Sequence, residues 1–115
     1  KFPTSEAALQ AYKDPGNLEY VKRQMEARSP LTSKNMGARA RLRDDWEEVR
    51  EGLMYKILKH KFSQHPYLRK VLLATGLSTI IHRTRGDAVW GDGGGKGLNL
   101  LGKLLVRLRT QYQRE

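Results

Sequence analysis

Five of the seven residues from 91 to 97 are glycine, and this run limits what the second half of the chain can form. Glycine weakens helices and strands, but it adopts the left-handed conformations that loops need. We therefore expect a loop that runs directly into an apolar helix beginning near Leu98. The loop backbone and the unpaired N–H groups of the first helical turn could approach an anion. The spacing matches neither a P-loop nor a dinucleotide fingerprint, so a flexible surface loop is the alternative.

Hydrophobic periodicity predicts helices over most of the remaining chain. The predicted helical segments are residues 5–12 (with Thr4 as N-cap), 14–27 (with Asp14 as N-cap), 29–37 (ended by a left-handed Gly37), 44–62, 65–76 (ended by Gly76) and 98 to the C-terminal end. One strand is predicted over residues 78–83, because the β-branched residues Thr79, Ile80 and Ile81 stand together there. The fold class is therefore mainly α, with about six helices, minimal strand content and one compact domain over residues 1–115.

Four helices have a predicted apolar face. It comprises Leu18, Val21 and Met25 in the helix over 14–27, and Leu68, Val71 and Leu72 in the helix over 65–76. In the helix over 44–62 that face comprises Trp46, Val49, Leu53, Ile57 and Leu58. In the last helix a leucine stripe is expected inside and the basic residues outside. The stripe is Leu98, Leu101, Leu105 and Leu108, and the basic residues are Lys103, Arg107, Arg109 and Arg114.

Composition excludes several function classes. The chain has no cysteine, so disulfides, thiol nucleophiles and cysteine-based metal sites are excluded, and a reducing compartment such as the cytoplasm is expected. The three histidines, His60, His65 and His82, have no recognisable zinc spacing, so no metal is expected. No apolar run approaches the length of a membrane span. The net charge of +10 favours phosphorylated ligands or polyanions, with a solubilising surface as the alternative.

Five segments, in this order, resemble the motifs of the NADAR family, the YbiA-like N-glycosidases. They are FPTSEAALQAYK (residues 2–13), SPLTSKNMG (29–37), LRDDWEEVREGLM (42–54), HKFSQHPYLRKVLLATG (60–76) and DAVWGDGGGKGLNLLGKLL (87–105). Each segment by itself is a modest match to the family, but five matches in the same order over nearly the whole chain are specific for it. The resemblance implies a compact NADAR-like fold and an N-glycosyl hydrolase that needs neither metal nor cofactor.

The resemblance also implies substrates and site residues. The substrates would be phosphorylated riboflavin-pathway intermediates or ADP-ribosylated guanine in nucleic acid. By position, the activity-linked residues of the family match Glu6, Trp46 and Asp87. We expect the two carboxylates to stabilise a cationic sugar and align a water, and the indole to stack on the leaving base. Further substrate-binding candidates, including two lysines suited to phosphate, are Lys34, Trp90, Gly91, Lys96 and Asn99.

Two departures from the family pattern leave alternatives open. Family members carry a preceding segment with a Phe-Ser-Asn-Phe-like motif, which this sequence lacks, and His82 stands where the family often has a glutamate. A non-catalytic ADP-ribose or nucleotide-binding module and a basic nucleic-acid-binding domain are therefore the alternatives. At the level of single residues, Glu6 could be a helix-terminus charge, Asp87 a turn cap, Trp46 a core anchor and Asn99 a brace for the glycine loop.

Overall fold

The computed structural model describes residues 2–38, 40 and 42–115. It contains six helices: α1 (Ser5–Ala11), α2 (Leu18–Met25), α3 (Pro30–Ala38), α4 (Trp46–Gln64), α5 (Pro66–Ala74) and α6 (Leu100–Gln113). A short 3₁₀ turn, Gly93–Gly95, precedes α6. The described residues form no strand, so the mainly α class is confirmed. No helix among them is both long and apolar enough to cross a membrane.

The chain divides into two compact units, Lys1–Ile57 and Leu58–Glu115. The division falls within α4. The expectation of one compact domain over the whole chain stays a prediction.

In the first unit α1 packs against α2 and α3. The Oγ1 atom of Thr4 accepts a hydrogen bond from the Ala7 amide at 3.0 Å, which caps α1 as predicted. Ala7 and Ala11 are buried, and such small side chains let a neighbouring helix approach closely. The predicted cap of α2 was wrong: Asn17, not Asp14, holds the first turn through an Oδ1 contact to the Tyr20 amide at 3.1 Å.

Gly37 has a role that periodicity did not predict. It lies inside α3 and is not among the glycines with positive φ, so the prediction of a left-handed end there was wrong. A Cβ at this position would meet the side chain of Gln10. Gly37 is therefore needed for the close approach of α1 and α3.

Helix α4 begins at Trp46 rather than near Asp44. Its buried residues are Trp46, Met54 and Leu58, which are four or eight positions apart. Of the predicted face, Val49, Leu53 and Ile57 are only half-buried. The buried residues follow the i, i+4 spacing of the helix. The sequence pattern alone did not distinguish them from the neighbouring apolar positions.

In the second unit α5 packs on α6. Gly76 follows α5, which confirms it as the predicted stop, and its φ of +64° shows that the chain leaves the helix in a left-handed conformation. The stripe predicted for α6 was partly wrong, because this helix begins at Leu100. Leu104 and Leu108 are fully buried, whereas Leu98 is 49% exposed. The apolar faces predicted for α2 and α5 were also partly wrong, because Leu18, Met25 and Val71 are exposed.

Arg109, predicted to lie outside, is only 4% exposed. Its Nη1 atom donates to the Thr75 hydroxyl at 2.8 Å and to the Ser78 carbonyl at 2.7 Å. These contacts satisfy polar groups just beyond α5, so a buried cation holds the end of that helix.

The predicted strand over 78–83 is also wrong, and its hydrogen bonds show why. Side chains of α6 and of its N-cap residue supply hydrogen bonds that a neighbouring strand would otherwise supply. Asn99 accepts from the His82 amide at 2.9 Å and donates to the Ile80 carbonyl at 3.0 Å. The His82 carbonyl accepts from the Asp92 amide at 2.9 Å. The segment is thus paired without a ladder, which β propensity could not reveal.

The contact between Gly37 and Gln10 predicts the effect of two alanine substitutions. Gly37→Ala should destabilise the protein by about 1–3 kcal/mol, because the added Cβ overpacks a buried site. Gly52→Ala, in α4, is the matched control, since nothing lies near its Cβ. The control should gain about 1 kcal/mol through helix propensity. Urea unfolding measures both, and equal stability of the two variants would contradict the packing account.

Candidate active site

Glu6 lies in the first turn of α1 and is half-buried. Its Oε2 atom accepts a hydrogen bond from Nε2 of Gln10 at 3.1 Å. The two residues are one helical turn apart, so the backbone itself holds them in register. Glu6 therefore has a defined orientation, which distinguishes it from a freely moving carboxylate at a helix terminus.

The chain after α1 brings Trp46 to Lys13. The Arg43 amide donates to the Lys13 carbonyl at 2.8 Å, and the Trp46 amide donates to the Arg43 carbonyl at 3.2 Å. The Arg43 guanidinium is in turn paired with Asp45 through contacts of 2.6 and 3.1 Å. The result places the Lys13 ammonium over the indole of Trp46, with Nζ 5.7 Å from the ring centroid.

Lys13 also interacts with the charges of Glu6 and Lys34. Burial lowers the pKa of the Lys13 ammonium, the Glu6 carboxylate partly opposes that change, and Lys34 adds to it. We call Glu6, Lys13, Lys34 and Trp46 the first-unit cluster. An amine whose pKa is lowered can transfer a proton more readily near neutral pH than an ordinary lysine can.

Lys13 was missed in the sequence, although a signal was present. Glu6, Gln10 and Lys13 stand at i, i+4 and i+7, which is one face of a helix. Lys34 was predicted, and its electrostatic contact with Lys13 places it at the edge of the same cluster, with an exposed side chain.

Trp46 is only 7% exposed. Since the Lys13 ammonium already lies over its ring, the observed position of the indole is that of a core side chain with one cationic neighbour. Stacking of Trp46 on a leaving base stays a prediction.

Asp87, in the second unit, organises the turn that follows it. Its Oδ1 atom accepts from the amides of Val89 and Trp90 at 3.0 and 2.9 Å. This Asx-type turn holds the half-buried Trp90 at the start of the glycine loop. The convergence of Asp87 with Glu6 and Trp46 stays a prediction.

The expectation that the loop amides are open to an anion is wrong in this structure. The N–H groups of Leu98, Asn99, Leu100 and Leu101 donate to the carbonyls of residues 88–91 at 2.7–3.0 Å. The amides of Gly93, Gly94, Gly95 and Gly97 also donate within the loop. An anion at this loop would depend on the exposed side chain of Lys96.

Gly91 and Asn99 are observed as parts of the loop framework. A Cβ at Gly91 would meet Thr84 and the carbonyls of His82 and Asp87. Asn99 has a left-handed backbone, with φ 51°, and braces the 80–82 segment through its side chain. Direct contact of either residue with a substrate stays a prediction.

A cavity of the first unit lies elsewhere. It is a groove of about 510 Å³ between α2 and α3, lined by Asp14, Asn17, Glu19, Tyr20, Arg23, Thr32, Asn35, Met36 and Ala40. None of the predicted site residues lines it. We place the candidate site at the first-unit cluster because that cluster joins a carboxylate, amines and an aromatic ring, whereas volume alone does not indicate chemistry. Within the described residues, no group of three or more histidine or acidic side chains could hold a metal ion.

The fold and site define a mainly α protein with an oriented carboxylate beside a half-buried lysine. The chain belongs to the NADAR family: the model of the NADAR domain matches residues 1–113. It is 46% identical to N-glycosidase YbiA of Escherichia coli (strain K12) over 115 residues, which cover 96% of this chain and 70% of that protein. The NMR structure of E. coli YbiA superposes with a TM-score of 0.87 at 44% identity, covering 98% of this chain and 68% of that one.

A second group of relatives carries a pathway in its name. The riboflavin biosynthesis protein PYRR of Zea mays is 34% identical over 122 residues, which cover 96% of this chain and 20% of that protein. The protein of the same name from Arabidopsis thaliana is 46% identical over 72 residues, which cover 62% of this chain and 12% of that protein. Together with the YbiA similarity, this makes the chain an enzyme of the N-glycosidase class.

The lowered pKa of Lys13 predicts a pH-dependent stability difference between wild type and Lys13→Met. Between the lowered value and the ordinary value of 10.5, the unfolded chain binds more protons than the folded one. Wild-type stability should therefore rise relative to the variant as the pH increases through that window. Urea unfolding of both proteins across the window measures the difference, and a difference independent of pH would contradict the burial of a charged amine.

Proposed function

We propose that this enzyme hydrolyses the N-glycosidic bond of a phosphorylated riboside intermediate of riboflavin biosynthesis. The names of its YbiA and PYRR relatives support the reaction and the pathway. The observation that carries the proposal is the hydrogen bond that orients the Glu6 carboxylate, whose charge also acts on the half-buried amine of Lys13. The products would be the free base and a ribose phosphate.

Glu6 supplies the chemistry that this bond requires. As the bond between C1′ and the base nitrogen breaks, positive charge develops on the sugar and negative charge on the base. A carboxylate next to C1′ stabilises the sugar cation, and it can accept a proton from the water whose oxygen forms the new bond to C1′. The electron pair of the broken bond leaves with the base, which takes up a proton.

The two lysines suit the anionic parts of such a substrate. Lys34 is exposed and can reach a phosphate, whereas Lys13 is half-buried beside Glu6. A cation directly beneath the sugar would oppose the developing positive charge, so we place Lys13 towards the leaving base. There its lowered pKa favours proton donation to the base nitrogen.

A second substrate class, ADP-ribosylated guanine in nucleic acid, is favoured by the net charge of +10. A polyanion would contact several basic side chains at once, whereas a small riboside would contact few. The two classes therefore differ in how binding depends on salt.

The role of Glu6 predicts a large loss of activity in Glu6→Gln, which keeps the shape of the side chain but removes its charge. The rate of ribose phosphate release from phosphorylated ribosides of the pathway should fall by about 10²–10⁴-fold, since both charge stabilisation and base catalysis are lost. Glu19→Gln is the matched control, because Glu19 is an exposed carboxylate on α2 that pairs with Arg23 at the helix surface. Equal turnover by wild type and Glu6→Gln would exclude Glu6 as the catalytic carboxylate.

Salt dependence separates the two substrate classes. For the riboflavin intermediates, the logarithm of kcat/KM should vary by about one unit or less per tenfold change in salt concentration, because a single phosphate is neutralised. Turnover of an ADP-ribosylated oligonucleotide should instead fall steeply, with a slope several times larger. Efficient, salt-sensitive turnover of the oligonucleotide together with no turnover of the ribosides would overturn the proposed substrate.

A further inference from the structure

Gln10 connects the candidate catalytic carboxylate to the core of the first unit. The residue is only 5% exposed, yet its Nε2 atom reaches Glu6 at 3.1 Å. A carboxylate can only accept hydrogen bonds, so the amide nitrogen must face Glu6 and the amide oxygen must face away from it. The orientation of the Gln10 amide is therefore set by the charge on Glu6.

The amide oxygen of Gln10 is held in place by packing. It occupies the space that a Cβ at Gly37 would fill, so the glycine leaves room for it against α3. Among the described residues, Oε1 of Gln10 has no hydrogen-bond partner. A buried polar atom without a partner destabilises the folded protein, and an apolar side chain of the same size would avoid that cost. Packing alone therefore does not explain why a glutamine stands here.

The backbone of Gln10 is fixed as well. The Tyr20 hydroxyl donates to the Gln10 carbonyl at 2.6 Å, and Nε2 of Gln24 donates to that hydroxyl at 3.2 Å. Gln24 is itself fully buried and also donates to the Ser33 carbonyl at 3.1 Å. The side chain that contacts Glu6 is thus anchored to both neighbouring helices.

We propose that Gln10 is a positioning residue whose buried amide holds the Glu6 carboxylate in the orientation that the hydrolysis requires. The inference rests on the proposed function, because it concerns the same carboxylate. A glutamate side chain without this contact samples several rotamers, and a misplacement of about 1 Å can reduce a rate a hundredfold. Gln10 acts on the substrate only through Glu6.

Two substitutions at position 10 test this role. Gln10→Met keeps the volume but removes the donor, so kcat should fall about tenfold to a hundredfold while KM changes less than threefold. Gln10→Glu places a second carboxylate against Glu6. Two such groups share a proton at acidic pH, and that proton can replace the lost hydrogen bond. The activity of Gln10→Glu relative to wild type should therefore rise as the pH falls, after subtraction of uncatalysed hydrolysis.

Gln113→Met is the control, because it makes the same substitution at a glutamine whose Nε2 atom donates to the Gly76 carbonyl and takes no part in holding Gln10. Its kcat, measured per folded molecule on the same phosphorylated riboside, should stay within twofold of wild type. A Gln10→Met enzyme with wild-type kcat, alongside an inactive Glu6→Gln, would overturn the positioning role alone. A pH-independent ratio for Gln10→Glu would also overturn it. Full activity of Glu6→Gln would instead overturn the proposed function.

Discussion

The close approach of α1 and α3 at Gly37 is the constraint on which the candidate site depends. It buries the Gln10 side chain against α3, and Gln10 in turn contacts Glu6. Helix α1 ends just before Lys13. The Lys13 carbonyl accepts a hydrogen bond from the Arg43 amide, which fixes the turn before α4. The packing contact thus orients the carboxylate, and the backbone contacts after α1 position the amine and the indole.

Burial of Lys13 shows that the site is not arranged for stability alone. Removing part of an ammonium from water is unfavourable, and the pKa of Lys13 is lowered as a result. The Trp46 ring and the Glu6 carboxylate offset part of that cost. A chain selected only for stability would gain from an apolar residue at this position, so the retained charge is an argument for function.

The features that could be predicted from the sequence are those with a local cause. Thr4 as a cap, Gly76 as a helix stop and the helical segments follow from short-range propensity and periodicity. Glu6 and Trp46 were identified through motif resemblance, and the structure places both near Lys13. Here the sequence pattern and the fold agree.

The features that could not be predicted depend on contacts between distant residues. Residues 78–83 are paired by Asn99 and Arg109 rather than by a strand, and neither side chain's partner is visible in the sequence. The loop amides before α6 are occupied by carbonyls of residues 88–91, which no glycine count reveals. The spacing of Lys13 from Glu6 and Gln10 is visible in the sequence, but its partial burial and its position over Trp46 are not, because they depend on how the chain returns after α3.

The most direct test of the central claim is a crystal structure of Glu6→Gln with an intact phosphorylated riboside of the riboflavin pathway bound. The account predicts that C1′ of the ribose lies within about 3.5 Å of the substituted side chain, with its phosphate towards Lys34. A riboside bound instead in the groove between α2 and α3, away from position 6, would contradict it.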